Sequence, residues 1–81
     1  MIREYIAMAM KRARYEIIEG AEPYYGEIKA CPGVWATGRT LDECRRNLED
    51  TLDDWLLLRI SKGMEVPAVG KASIKPGAKV A

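Results

Sequence analysis

Residues 28–48 read IKACPGVWATGRTLDECRRNL, and within them the apolar side chains change period from two to about 3.6. Only a strand that feeds directly into a helix accommodates such a change. In the run before it, Tyr24, Gly26, Ile28 and Ala30 fall on one face, and Tyr25, Glu27, Lys29 and Cys31 on the other, as a half-buried antiparallel strand requires. Pro32-Gly33 breaks that run, since proline cannot donate to a ladder and glycine tolerates positive φ. VWATG then predicts a returning strand, with Val34 and Ala36 toward the core and Trp35 and Thr37 away from it.

Thr40 and Glu43 form a T-x-x-E capping box, the hydroxyl meeting an orphan N–H and the carboxylate reaching back. Beyond them Leu41, Cys44, Leu48, Leu52, Trp55 and Leu56 recur at helical spacing, and Gly63 supplies a stop after Lys62. A helix over 40–62 is a rod of roughly 33 Å, whereas strands of five or six residues span about 17–20 Å. The helix must therefore overhang the sheet.

Upstream, Ile2, Tyr5, Ile6, Ala9, Met10 and Ala13 make one amphipathic stripe, which predicts a helix over 1–13. Lys11, Arg12 and Arg14 cluster at its end, where cations complement the helix dipole. YEIIEG then reads as a first strand and GAEP as the turn before the second. Three strands thus fill 14–38. Residues 64–81, with Pro67 and Pro76, read as a tail holding at most a brief edge strand around Ala72 to Lys75. The expectation is a single α+β domain over 1–81: a three-stranded antiparallel sheet packed on a long helix, with an additional N-terminal helix, in the order α-β-β-β-α.

Composition bounds what such a domain does. Of 81 residues, 13 are Lys or Arg and 12 Asp or Glu, and the net charge of +1 argues against a dedicated nucleic-acid binder. No histidine is present, which removes Ser-His and Cys-His pairs and any histidine base or ligand. Asp42, Glu43, Glu49, Asp50, Asp53 and Asp54 read as the solvated side of a leucine-striped helix, Glu16 and Glu27 as cross-strand partners of Arg14 and Lys29. No enzyme activity, metal or cofactor is expected. Cys31 and Cys44 are too few and too distant for a zinc site and read as small apolar residues. With no long apolar run and no signal-peptide pattern, no membrane association and a cytoplasmic location are expected.

YYGEI, CPG, VWATG and RTLDECRRNLEDTLDDWL follow one another within residues 15–63, about three-fifths of the chain. In that order and spacing they resemble the HicB family of antitoxins. The resemblance implies a degenerate ribonuclease-H-like fold without catalysis, oligomers, and a partner in a small basic toxin, the HicA messenger-RNA interferase. Two departures stand out: Cys31 occupies the position of a usual leucine, and the chain ends without the operator-binding domain of many members, so direct DNA binding is not expected. An orphan oligomer without a toxin partner is the alternative, and a metal-dependent ribonuclease a minor one.

Three surfaces follow as candidates. Tyr25, Trp35 and Thr37, on the sheet face away from the long helix, are partner-binding residues if left open, although the first helix is expected to cover them. Leu57, Leu58 and Ile60 lie beyond the sheet's reach and mark an oligomer interface unless the tail folds over them. A chain this short buries only about 60% of its unfolded surface, which favours self-association as a dimer or a tetramer. Thr40 and Glu43 are assigned a structural, capping role.

Overall fold

A computed structural model describes residues 2–70. The predicted order α-β-β-β-α is observed: α1 (Ile2–Lys11), β1 (Arg14–Ile17), β2 (Tyr24–Glu27), β3 (Trp35–Gly38) and α2 (Leu41–Ser61). The strands form one antiparallel sheet in the order β1-β2-β3. Tyr15 stands opposite Gly26 across β1 and β2, and Gly26 opposite Ala36 across β2 and β3. The edge strand suggested around Ala72 to Lys75 lies outside the described residues.

The long helix rests on two terminal devices. Thr40, in extended conformation, accepts the Glu43 N–H at 3.0 Å through Oγ1. Glu43 Oε1 reaches one residue further back than a capping box requires and accepts the Arg39 N–H at 2.8 Å. That bond, with the Arg39 guanidinium at 3.7 Å, holds the Glu43 carboxyl below the usual range, partly opposed by desolvation. At the other end Gly63 adopts φ +68°, and the Gly63 and Met64 N–H groups return to the Ile60 and Arg59 carbonyls. This double return closes the helix as the Schellman arrangement does.

Cys44, Leu48, Leu52 and Leu56 are buried along one face of α2, while Leu41, at the edge of the predicted stripe, is exposed and Trp55 half-buried. The first half of that face covers β2 and β3, and α1 packs on α2. Burying each leucine contributes at most about 1.5–3 kcal/mol. Gly38 permits the contact with β3, because a Cβ there would meet the Cys44 backbone N and stand 2.8 Å from its Cα. Gly26 serves the same end differently: a Cβ there would stand 2.8 and 2.9 Å from Tyr15 Cε1 and Cδ1 and 3.3 Å from Cys44 Sγ, so the Tyr15 ring fills that space.

One expectation is corrected. β2 ends at Glu27, and a turn follows in which the Cys31 N–H donates to Ile28 O and the Val34 N–H to Cys31 O, both at 3.0 Å. The alternation therefore stops before Cys31, whose side chain swings into the core instead of the solvent face. Within the predicted tail, residues 64–70 pack into the core, where Val66 and Val69 are buried and Pro67 O accepts the Tyr5 hydroxyl at 2.6 Å. Tyr5 Oη also lies 3.4 Å from Cys31 Sγ, so one phenol joins α1, the β2–β3 turn and the segment after α2. Thr40→Ala is expected to lower unfolding free energy by about 1 kcal/mol, the usual cost of a lost N-cap; chemical denaturation monitored by circular dichroism checks this.

Candidate protein-interaction surfaces

Antiparallel pairing assembles the side of the sheet opposite α2 into two rows. Arg14, Glu27 and Trp35 share one row, and Glu16, Tyr25 and Thr37 the next. Tyr25 and Trp35 are diagonal neighbours, their rings stacked with centroids 6.0 Å apart and planes inclined by 22°. Such offset stacks contribute about 0.5–1.5 kcal/mol beyond area burial. Tyr25 Oη donates to Glu27 Oε1 at 3.1 Å, and Thr37 Oγ1 donates to Glu22 Oε1 at 2.5 Å. Desolvation first, and then the Glu27 hydrogen bond and the charges of Glu27 and Glu16, raise the Tyr25 pKa.

The first helix does not cover these residues. α1 packs against α2 and makes no packing contact with any strand, because its stripe of Tyr5 and Ala9 is taken up on the opposite side of the sheet. Trp35 consequently remains 55% exposed. The three sequence-predicted residues thus share one face, to which the structure adds Glu16, Glu22 and Glu27. Glu22 had no local signal: it sits in the β1–β2 loop, and only the folding back of that loop brings it to Thr37.

A second surface lies where α1 crosses the later turns of α2. Leu57 is 68% and Leu58 53% exposed, whereas Ile60 packs partly against the core. Residues 64–70 therefore leave both leucines open. Beside them Ile2, Ile6, Asp53, Leu56, Leu57 and Ile60 line a shallow, largely apolar hollow of about 230 Å³. The predicted interface residues are thereby extended onto α1, a partner for α2 that the spacing of Leu57 and Leu58 could not reveal.

Reactive groups are placed differently. Both cysteines are free, and burial pushes their thiols up; at Cys31 the Tyr5 hydroxyl and Arg59 act in the opposite direction. A thiol held in that direction is a poor source of thiolate. Burial, then the Cys31 contact, raises the Tyr5 phenol well above its ordinary value. Among the described residues no group of three or more Cys, Asp or Glu is placed to hold a metal ion. No described helix is long and apolar enough to cross a membrane.

The α+β domain has α2 on one side of its sheet and leaves aromatic and acidic residues on the other. The UPF0150-like family model matches residues 4–67, and the chain belongs to that family. The crystal structure of TTHA0281 from Thermus thermophilus superposes with a TM-score of 0.89 at 51% sequence identity, covering 91% of each chain. No curated protein matches the sequence. The open sheet face has a direct spectroscopic consequence: in a Trp55→Phe variant, which leaves Trp35, acrylamide quenching is expected to be markedly stronger than in Trp35→Phe, which leaves the half-buried Trp55.

Proposed function

We propose that this protein is a HicB-like, antitoxin-type interaction module that binds and neutralises a small basic RNA-cleaving toxin in the cytoplasm, without catalysis of its own. The open Tyr25–Trp35 stack among Glu16, Glu22 and Glu27 carries the reading. An exposed tryptophan supplies a large rigid apolar contact, and aromatic faces beside carboxylates attract arginine and lysine side chains. A toxin that handles RNA is basic, so its cationic surface complements this face. The motif order over residues 15–63 supports the same conclusion through its resemblance to HicB antitoxins. Tyr25 and Trp35 are the proposed anchors, with Thr37 holding Glu22 in place.

Self-association forms the other half of the proposal. The exposed Leu57 and Leu58 beside an apolar hollow favour a two-fold contact in which each copy's leucines cover the other's α1–α2 surface. Such a contact builds a dimer, and a second contact between dimers would make the tetramer. Without a toxin, the chain would be an orphan oligomer that uses this same surface.

Co-expression with a neighbouring reading frame that encodes a small basic protein tests the first half. Growth arrest by that protein alone should be relieved by the wild type, and Trp35→Ala should weaken the complex by about 2 kcal/mol, roughly thirtyfold, as a central aromatic anchor does. Unchanged binding by Trp35→Ala would displace the site, and Mg²⁺- or Mn²⁺-dependent cleavage of RNA by the purified protein would establish the ribonuclease alternative instead. For the second half, Leu58→Glu should lower the solution mass by one dimerisation step in light scattering, since it places a charge in a desolvated contact.

A further inference from the structure

We infer that the edge of β1 that no described strand pairs with binds β1 of a second copy, in a two-fold antiparallel register centred on Tyr15. This contact is separate from the α1–α2 surface and does not rest on the toxin-binding reading.

The two edges of the sheet differ. Ile28 N–H donates to Val34 O at 3.1 Å and Ile18 N–H to Pro23 O at 2.7 Å, and each bond continues the register of its ladder by one pair. Hydrogen-bonded and non-hydrogen-bonded pairs alternate in an antiparallel ladder. Hence Val34, Ala36 and Gly38 turn their backbone groups toward β2, and Trp35 and Thr37 turn theirs outward. On β1, Arg14, Glu16 and Ile18 face β2, while Tyr15 and Ile17 face the open side. The β3 edge is partly closed by its own helix, because Asn47 Nδ2 donates to Thr37 O at 2.9 Å. Among the described residues no corresponding side chain closes β1. Its Ile17 is 75% exposed although its position in the alternation belongs to the α2 side of the sheet.

Edge strands are normally guarded by charged side chains, proline, bulges or short length, and β1 is short and carries Arg14 and Glu16. What selects its occupant is the order of charges, Arg14-Tyr15-Glu16. Tyr15 has outward backbone groups and can form a hydrogen-bonded pair with Tyr15 of a second copy. Arg14 of each copy then stands directly opposite Glu16 of the other, twice by symmetry, which is the favourable cross-strand arrangement. A register centred one residue later, on Glu16, opposes two glutamates and is excluded by their repulsion. The short strand is thus complementary to itself in one register. The joined sheets present their Tyr25–Trp35 faces on one continuous side, and together with the helical contact they close into a tetramer when the two two-fold axes meet at right angles.

The test is the solution mass of the full chain, by sedimentation velocity and light scattering up to concentrations on the order of tens of micromolar. Arg14→Glu and Glu16→Arg should each weaken the contact by about tenfold or more, since each creates two like-charge pairs. The double variant R14E/E16R restores the opposite pairing and should recover wild-type assembly. Ile17→Pro removes an N–H that no ladder among the described residues uses, so it should lower the mass by one dimerisation step while circular dichroism stays native. Combined with Leu58→Glu it should give monomers. A mass unchanged by Ile17→Pro and by both single charge reversals would overturn the proposal and leave the edge to residues 71–81 or to a different protein. Failure of the double reversal to rescue assembly, with its fold intact, would overturn the register.

Discussion

The seating of the first turns of α2 on the end of β3 is the contact on which the rest of the molecule depends. It is a backbone-to-backbone approach at Gly38 and Cys44, possible because one partner has no side chain. Once it is made, the thiol of Cys44 lies 3.6 Å from Ala36 O and Asn47 reaches Thr37 O, so α2 follows β3 over the next turns. Leu48, Leu52 and Leu56 then enter the interior in turn. A larger residue at Gly38 would lift the helix from the sheet and open the interface along its length, a form of overpacking that typically costs about 1–3 kcal/mol.

A helix of 21 residues, about 32 Å long, extends past strands of four residues. α1 and residues 64–70 close the interior around its second half. Tyr5 is the meeting point, with its ring buried and its hydroxyl shared between Pro67 O and Cys31 Sγ. A buried hydroxyl with no partner would cost about 1–3 kcal/mol, so the pairing holds Tyr5 to one position. The segment after α2 becomes part of the core through that bond and through Val66 and Val69. Arg59 contributes on the outside, stacked 4.7 Å above the Trp55 ring and donating to Glu65 O at 2.7 Å.

Because all helical packing lies on one side of the sheet, the other side is left to its outward residues. These are neither uniformly polar nor a core awaiting a helix: two stacked aromatics stand among paired carboxylates and hydroxyls. The apolar surface formed by α1 and the end of α2 is chemically different and lies elsewhere on the fold. A single small domain thereby presents two surfaces of distinct character.

The order of elements, the N-cap of α2, the glycine stop and the inward alternation of Val34 and Ala36 were all legible in the sequence, for the same reason. Each depends on interactions within a few residues: an N-cap hydroxyl and its N–H, a glycine at positive φ, or a strand's period of two. Tertiary structure decided what depended on distant groups. Cys31 turned inward because the chain leaves the strand at Ile28 and Tyr5 awaits it; residues 64–70 joined the core because Tyr5 also offers them a donor. Trp35 stayed open because α1 found its partner in α2 on the far side of the sheet. Glu22 came to Thr37 only through the folding back of the β1–β2 loop. Local periodicity determines which face a residue occupies, but what covers that face is settled by the free energy of packing the whole chain.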